Sequence, residues 1–556
     1  MQITPMGDSA MLAELGTIAD EATLDRVLAV ARALAAALLP GVTDIVPAFT
    51  SVTVHYDLTQ IPPGPGAPVA RVAEWLRLTA AKAKALKRAA GQVVEVPVCY
   101  GGEHGPDLPA VARRAGLSEA ETVKLHSNAL YRVAAVGFAP GFPYLLGLPE
   151  RLEMPRRATP RVRVPSGSVG IGGAQTGVYP FATPGGWQLI GRTPLTFFRP
   201  EAKHPALVYP GDFVRFRAIP PGLWPAEAAN EKRIEAKAEA AGTVEIIQAC
   251  GLTTVQDLGR PGWQRVGVTP GGVIDRQAAR VANILLGNPD NAPVLESALT
   301  GPELRFHADT WIAVTGAAVA GVPGWRPLRI AAGARLSLAE LVRGAHVYVA
   351  VAGGFSVPTV LGGAGTLLRA GFGGFRGRTL RAGDRLAVGP AAHPPGAVRR
   401  DWAAAGEFWT AGGREITVRF VRGRRWAGFD EDARTAFKQT AWKVRGQSDR
   451  MGLRLTGPAL TSELPGEMIS EGVAFGSVQV PPNGQPIVLM ADRQTLGGYP
   501  KIGHVITADL PRLAQVRPGD TVRFAEIPVA AAQVVALEME KALALLRLGV
   551  AARLQS

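Results

Sequence analysis

Cysteine is almost missing from this chain: Cys99 and Cys250 are the only two in 556 residues. Two thiols so far apart in sequence exclude a disulfide framework and a thiolate zinc site, and no metal site is expected. Cys99 closes an apolar strand, VPVCYGG, where buried packing is a more ordinary role than nucleophile. No uninterrupted apolar run approaches the ~20 residues that cross a bilayer. The opening MQITPMGDSAML lacks a basic stretch leading into a long apolar core, so no secretory signal is expected. A soluble, cytoplasmic protein without a membrane partner follows as the expectation. A Walker A loop is missing too. GGAGTLLRAGFGG, Gly362 to Gly374, is glycine-rich but lacks the Gly-Lys-Ser/Thr ending.

Acidic residues are in deficit: 60 Lys and Arg against 46 Asp and Glu leave a formal charge of +14. Such a balance raises the question of nucleic acid. The excess is mostly arginine, as in Arg422, Arg424 and Arg425, and no helix-turn-helix, zinc-finger or RNA-binding signature accompanies it. Arginine also grips small carboxylates and phosphates with two parallel hydrogen bonds. No nucleic-acid partner is expected.

A chain this long holds roughly three to five domains. Its 66 glycines and 45 prolines are spread between apolar runs, so they punctuate turns,. Leu24, Val27, Leu28, Ala31, Leu34 and Leu38 fall at helical spacing before Pro40-Gly41. Val52, Val54 and Tyr56 alternate with Ser51, Thr53 and His55, the period of a half-buried strand. A second helix is expected from about Val69 to Ala90. Residues 1–90 thus read as a small α/β module, and strand-and-turn texture then fills 91–218. Residues 219–242, Pro-rich and then alanine-rich and polar, read as a partly helical linker. Strand texture resumes over 243–390 and 391–527, and 528–556 reads as a closing helix. Pro210-Gly211-Asp212 leads into FVRF, Ala382-Gly383-Asp384 into RLAV and Pro518-Gly519-Asp520 into TVRF. Three such turns near block ends suggest three homologous barrels.

The densest set of chemistry-capable side chains lies in SEGVAFGSVQVPPNGQPIVLMADRQTLGGYPKIG, Ser470 to Gly503. Glu471, Gln479, Asp492, Arg493, Gln494, Tyr499 and Lys501 there sit on turns between short strands, as on the lip of a barrel. GSVGIGGAQTGVYPFATPGGW, Gly167 to Trp187, has the same texture, with Gln175 and Thr176 and, just beyond, Arg192. Gln479 and Gln494 read either as satisfied structural amides or as substrate-orienting groups. His126, in KLHSNALYRV, is either a core histidine or a titratable site group. The rings of Phe138, Phe142 and Tyr144, with Pro140 and Gly141, either wall a pocket or pack a core. Gln256, Asp257, Arg260 and Asp275 are further candidates, with a turn network as the plainer reading for Asp257.

Two long stretches resemble a known pair of families. GFAPGFPYLLGLPERLEMPRRATPRVRVPSGSVGIGGAQTGVYPFATPGGWQLIGRTP, Gly137 to Pro194, is similar to the KipI / allophanate hydrolase subunit 1 family. GLTTVQDLGRPGWQRVGVTPGGVID, Gly251 to Asp275, with SDRMGLRLTGP, Ser448 to Pro458, and the Ser470–Gly503 stretch, resembles the KipA / allophanate hydrolase subunit 2 family. The resemblance implies a mainly β protein: the α/β module, then three cyclophilin-like β-barrels in tandem. It also implies a fused B/C component of an ATP-dependent 5-oxoprolinase, a hydrolase of a cyclic amide that is incomplete without its LamB/YcsF-type partner, the A-type subunit. ATP, accompanied by Mg, is the co-substrate of that reaction. Related proteins form the carboxyltransferase part of urea amidolyase, and others are named inhibitors of a sporulation histidine kinase. A carboxyltransferase component and a non-catalytic kinase regulator therefore stand as alternatives. The chain has no Met-Lys-Met biotin attachment site, no lysine-serine-serine amidase signature and no ATP-grasp carboxylase. Whether the chain forms a homo-oligomer is left open.

Opening a five-membered lactam is uphill unless ATP converts the amide oxygen into a leaving group. Such a site needs cations for a carboxylate and a phosphoryl group, and a base, in a water-poor cleft. Arg450 and Arg493 can supply the cations, each next in sequence to an aspartate, Asp449 and Asp492, that can fix its plane. Lys501 adds a point charge, and Glu471 or Asp492 can act as base. The competing reading of each Asp-Arg neighbour is a surface ion pair worth ~0 to 1 kcal/mol.

Overall fold

The structure, a computed structural model, describes residues 1–83, 91–223, 242–393, 400–409, 412–465 and 468–555. Strands Gln2–Pro5, Ala10–Glu14, Ser51–Tyr56 and Val42–Ala48 make, in that order, a four-stranded antiparallel sheet. Helices Glu21–Ala36 and Pro68–Ala81 cover one face of it. Their apolar stripes bring Val27, Leu34, Val72 and Leu76 onto Met11, Val52, Val54 and Tyr56,. Asp20 caps the first helix, its Oδ1 accepting from the Thr23 N–H at 2.7 Å,. The second helix ends at Ala81, and residues 84–90, where it was expected to continue, lie outside the described residues.

The strand Ser51–Tyr56 departs from its expected half-burial. All six residues are buried, because the Ser51, Thr53 and His55 face is covered by the last barrel. Gly472 of that barrel lies directly against Thr53.

Two of the expected barrels are closed. The first joins Val93–Tyr100, Leu130–Val136, Pro143–Leu146, Ser168–Gly172, Gln175–Val178, Gln188–Arg192 and Phe213–Ala218. The last joins Glu415–Arg422, Trp442–Val444, Gly452–Thr456, Ser477–Gln479, Ile487–Leu489, Lys501–Val505 and Thr521–Glu526. The Gly-Asp turns recur in equivalent places. Gly211 and Gly519 hold φ of 97° and 94°, a left-handed conformation that suits glycine,. Each delivers the final strand parallel to the first strand of its barrel.

The middle unit, expected as a third barrel, consists instead of two five-stranded sheets. Gly383 makes the same left-handed turn, but the strand it starts, Arg385–Val388, runs antiparallel to Gly242–Gln248. Val244, Leu304 and Leu386 of one sheet and Leu295, Val314 and Val349 of the other share a single core. The unit is thus a sandwich with its apolar faces inward. Of the expected linker, residues 224–241 lie outside the described residues.

The two ends of the chain meet. Asp8 accepts from the Thr507 N–H at 3.0 Å and the Thr507 hydroxyl at 2.7 Å. Gln533, on the closing helix Val529–Gln555, accepts from the Val69 N–H and donates to Asp8 O and Tyr56 Oη. Glu540 of the same helix pairs with Arg280 of the middle unit. The N-terminal sheet is thereby held over the lip of the last barrel. Among the described residues no helix is long and apolar enough to cross a membrane.

Candidate functional site

The Ser470–Gly503 lip is not open to solvent. It forms one wall of a polar seam whose other wall is the outer face of the N-terminal sheet. Strands Glu471–Gly472 and Leu496–Gly497 pair as a small ribbon at its centre. At one end Glu471 accepts from Lys501 Nζ at 2.9 Å and from Arg424 Nη2 at 2.8 Å. Arg424 Nη1 reaches across to Glu14 of the sheet at 2.6 Å. Burial alone would raise the Glu471 carboxyl, but Lys501 and Arg424 outweigh it and hold it below the ordinary glutamate value,. A small pocket opens here between Thr4, Met6 and Leu12 on the sheet and Arg424, Arg425, Lys501 and His504 on the barrel.

At the other end lies Arg493, only 5% exposed. Its Nη2 donates to the Gln264 side-chain oxygen at 3.2 Å, and its guanidinium stands over the Phe475 ring. Among the described residues no carboxylate forms an ion pair with it. Burial, reinforced by the nearby Arg276 charge, pushes the guanidinium down to about 9. Its sequence neighbour Asp492 is taken by another arginine. Arg450 donates from Nε and Nη2 to the two Asp492 oxygens at 2.8 and 2.9 Å, and from Nη1 to Glu296. Asp449 instead accepts from the Met451 and Gly452 N–H groups and closes an exposed turn. The pairing expected between neighbours is thus a cross-pairing: the turns carrying Arg450 and Asp492 lie side by side, the Asp492 N–H donating to Arg450 O at 2.8 Å.

Several buried polar atoms along the seam have no hydrogen-bond partner: Ser51 Oγ, Thr53 Oγ1, His55 Nε2, Gln479 Nε2 and Thr495 Oγ1. Each unmet buried donor or acceptor costs about 1–3 kcal/mol. All five belong to strand Ser51–Tyr56 or to the Ser470–Gly503 lip. Burial, together with the nearby Arg493 charge, pushes the His55 imidazole down to about 3.

The remaining sequence candidates divide. Gln494 and Tyr499 lie half-buried on the same lip. His126, Gln175 and Arg192 belong to the first barrel and are not brought to the seam. His126 is fully buried, its ring nitrogens 2.8 Å from Tyr100 Oη and 3.1 Å from Thr176 Oγ1, and it stacks on Phe216. It is a satisfied core histidine. Gln175 is half-buried on its strand, and Arg192 donates to Ser166 O. Asp257 accepts from the Gly259, Ala364 and Gly365 N–H groups, the turn network that its setting suggested. Gln256 donates to Thr366 O, Arg260 donates to Val360 O, and Asp275 caps the helix Arg276–Leu286. Phe142 and Tyr144 pack with Trp187 in a core. Phe138 takes a left-handed φ of 65° beneath Arg369.

Sequence reasoning missed Ser51, Thr53, His55, Gln264 and Glu296. One signal was present: the polar side of strand Ser51–Tyr56 carries no Lys, Glu or Arg, the residues that normally meet water.

An α/β module, two closed barrels and a β-sandwich make a multidomain, mainly β protein with a buried polar seam between the module and the last barrel. The family model described as carboxyltransferase domain, subdomain A and B, matches residues 266–526, and that for subdomain C and D matches residues 1–208. The second half is 42% identical over 290 residues to the C subunit of 5-oxoprolinase from Escherichia coli (strain K12), covering 51% of this chain and 91% of that protein. The first half is 45% identical over 222 residues to the B subunit of 5-oxoprolinase from Bacillus subtilis (strain 168), covering 39% of this chain and 92% of that protein. The crystal structure of TTHA0988 superposes with a TM-score of 0.80 at 34% identity, covering 93% of this chain and 99% of that one. The chain belongs to the carboxyltransferase-domain family that includes the B and C subunits of 5-oxoprolinase, with the two types fused in one polypeptide.

Proposed function

We propose that this chain is the fused B/C component of an ATP-dependent 5-oxoprolinase, which converts 5-oxo-L-proline, ATP and water to L-glutamate, ADP and phosphate. It acts with a separate LamB/YcsF-type partner, the A-type subunit. The observation that carries this reading is the seam itself: the B-type part of the chain supplies one wall and the C-type part the other. A site shared in this way explains why the two types work together and why a fusion is tolerated.

In this reading Arg493 and Lys501 supply the cations, and Asp492, held in plane by Arg450, supplies an oriented carboxylate. Glu471 stays ionised between Lys501 and Arg424. ATP is the co-substrate, with Mg accompanying its phosphates. Among the described residues no three His, Cys, Asp or Glu side chains stand together as a metal seat. No step is assigned to a protein-bound Mg.

The test is to purify the chain with a candidate LamB/YcsF-type partner and measure ADP release that depends on 5-oxoproline. The family description favours one second reading, transfer of a carboxyl group to an amide from a separate biotin carrier. Carboxyl transfer from carboxybiotin without lactam-dependent ADP release would establish that reading and reject the first. Neither activity, together with tight binding to a histidine kinase, would make the chain a regulator.

A further inference from the structure

Arg493 is a buried cation that, among the described residues, makes no ion pair, although the Asp492 and Asp44 charges act on it from a distance. Its neighbours are all committed elsewhere. Asp492 is clasped by Arg450 through both oxygens. Asp44 accepts from the Gly262 and Gln264 N–H groups. Gln264 and the weak contact to Val473 O at 3.5 Å occupy only part of the five-donor fork,. On the sheet nearby, linked to Arg493 through Asp44 and Gln264, His55 is 7% exposed and its Nε2 has no hydrogen-bond partner. His55 is paired across the sheet with Asp44, which holds the imidazole at this end of the seam. A buried guanidinium that makes no ion pair is costly, and so is a buried imidazole nitrogen without a hydrogen-bond partner; an anion between them would relieve both costs.

We infer that Arg493 and His55 form a seat for the carboxylate of an anionic substrate, with two guanidinium N–H groups on its oxygens and the His55 Nε2–H donating from the opposite side. The seat draws on three parts of the chain. His55 and Asp44 come from the N-terminal sheet, Gln264 from the segment that begins the C-type half, and Arg493 from the last barrel. None of these parts holds the site alone, so the seat exists only when the B-type and C-type regions are docked. Because burial keeps His55 neutral at ordinary pH, it donates a hydrogen bond without adding a second charge. The closed seam keeps water away, which strengthens each of these bonds. Entry requires the sheet and lip to part, so association is expected to be slower than diffusion. The existence of the seat rests on this geometry; the lactam as its occupant rests on the proposed reaction.

The test is titration calorimetry of the full chain with 5-oxo-L-proline, L-glutamate and 2-pyrrolidinone, the last being the same lactam without its carboxylate. The expected result is that 2-pyrrolidinone binds about 10- to 100-fold more weakly than 5-oxo-L-proline. Arg493→Lys should weaken the acid about tenfold and leave the neutral lactam unchanged, because lysine keeps the charge but loses the fork. His55→Phe should weaken the acid, and His55→Gln, which restores a donor near the same place, should recover most of it. A merely structural role for His55 would not follow that order, and melting curves exclude misfolding as its cause. Equal affinity for the acid and the neutral lactam overturns the seat, even if lactam-dependent ADP release is seen. So does an unchanged affinity in Arg493→Lys, or no binding of either carboxylate. Binding of L-glutamate through Arg493 without binding of 5-oxo-L-proline supports the seat and rejects the lactam reading.

Discussion

Arg450 of the last barrel donates through Nη1 to Glu296 of the middle unit, and this bond ties the two halves of the C-type region together. The same guanidinium clasps Asp492 and donates to Gly272 O at 2.6 Å. Glu296 is fixed in turn by the Tyr348 hydroxyl at 2.9 Å and the Ile274 N–H at 2.8 Å. Tyr348 Oη accepts from the Asp275 N–H, and Gln515 donates to the Asp275 carboxylate. A continuous polar chain therefore runs from the seam to the start of the helix Arg276–Leu286. Burial alone would lower the Arg450 guanidinium; Asp492 and Glu296 outweigh it and raise it above the ordinary arginine value.

Replacing Arg450 by Met should therefore be among the most damaging single changes in the C-type region. It leaves Asp492 and Glu296 buried without a counter-ion, a loss of about 3–5 kcal/mol for breaking a buried pair from one side. Urea unfolding measures it. A loss below about 1 kcal/mol would mean that solvent enters and screens both carboxylates.

Arg493→Met should show the opposite balance, although the two arginines share one site. Arg493 makes no ion pair, and burial outweighs the distant pull of Asp492 and Asp44, so removing its charge relieves a burial cost. Stability should stay within about 1 kcal/mol of wild type or rise slightly, while turnover with the LamB/YcsF-type partner is lost. A destabilisation as large as that of Arg450→Met would make Arg493 a structural residue.

This contrast was only partly legible in the sequence. The Ser470–Gly503 stretch announced a polar lip, and the Gly-Asp turns announced repeated strands. Both are local signals, carried by turn chemistry and by period-two alternation. Which arginine pairs with which aspartate is not local. Asp449-Arg450 and Asp492-Arg493 look alike as dipeptides, and only the register between Gly452–Thr456 and Ile487–Leu489 brings Arg450 beside Asp492. The burial of Ser51, Thr53 and His55 was hidden for the same reason. Alternation shows that a strand has two different faces, but not that the polar one is covered by a barrel more than 400 residues later. Nor does a Gly-Asp turn state whether its strand will run parallel or antiparallel, which separates the sandwich from the closed barrels.

Acid should destabilise the protein from just below neutrality. Burial pushes His126 down to about 3, and does the same to His55 and His504, with added charge from Arg493 and Lys501. Between the unfolded value of 6.5 and these folded values the unfolded chain binds more protons, so stability falls as pH falls. Three such groups give a slope of up to about 4 kcal/mol per pH unit. Unfolding midpoints measured from pH 7 to pH 4 check it. His126→Gln should lower the slope by about a third without touching the seam. A flat profile above pH 5 would show that these imidazoles reach water.

Gly472 offers the most direct test of whether the seam is the site. A methyl group at this position would stand 2.4 Å from Thr53 Oγ1 and 2.6 Å from its Cβ. The neighbour is a β-branched side chain in the middle of a sheet, so it cannot swing away as a flexible chain end would. Gly472→Ala must therefore lift the N-terminal sheet from the lip, at a cost of about 1–3 kcal/mol. Both closed barrels keep their own cores, so the damage should be confined to the interface. Hydrogen exchange should accelerate in strand Ser51–Tyr56 and leave Val93–Tyr100 and Glu415–Arg422 unchanged. Turnover should fall because the sheet carrying His55 is moved away from the lip carrying Arg493. Thr53→Gly removes the obstructing atoms, so the double variant should recover part of both the protection and the activity. If Gly472→Ala exchanges faster yet turns over normally, the sheet is a cover and the chemistry belongs to the last barrel alone.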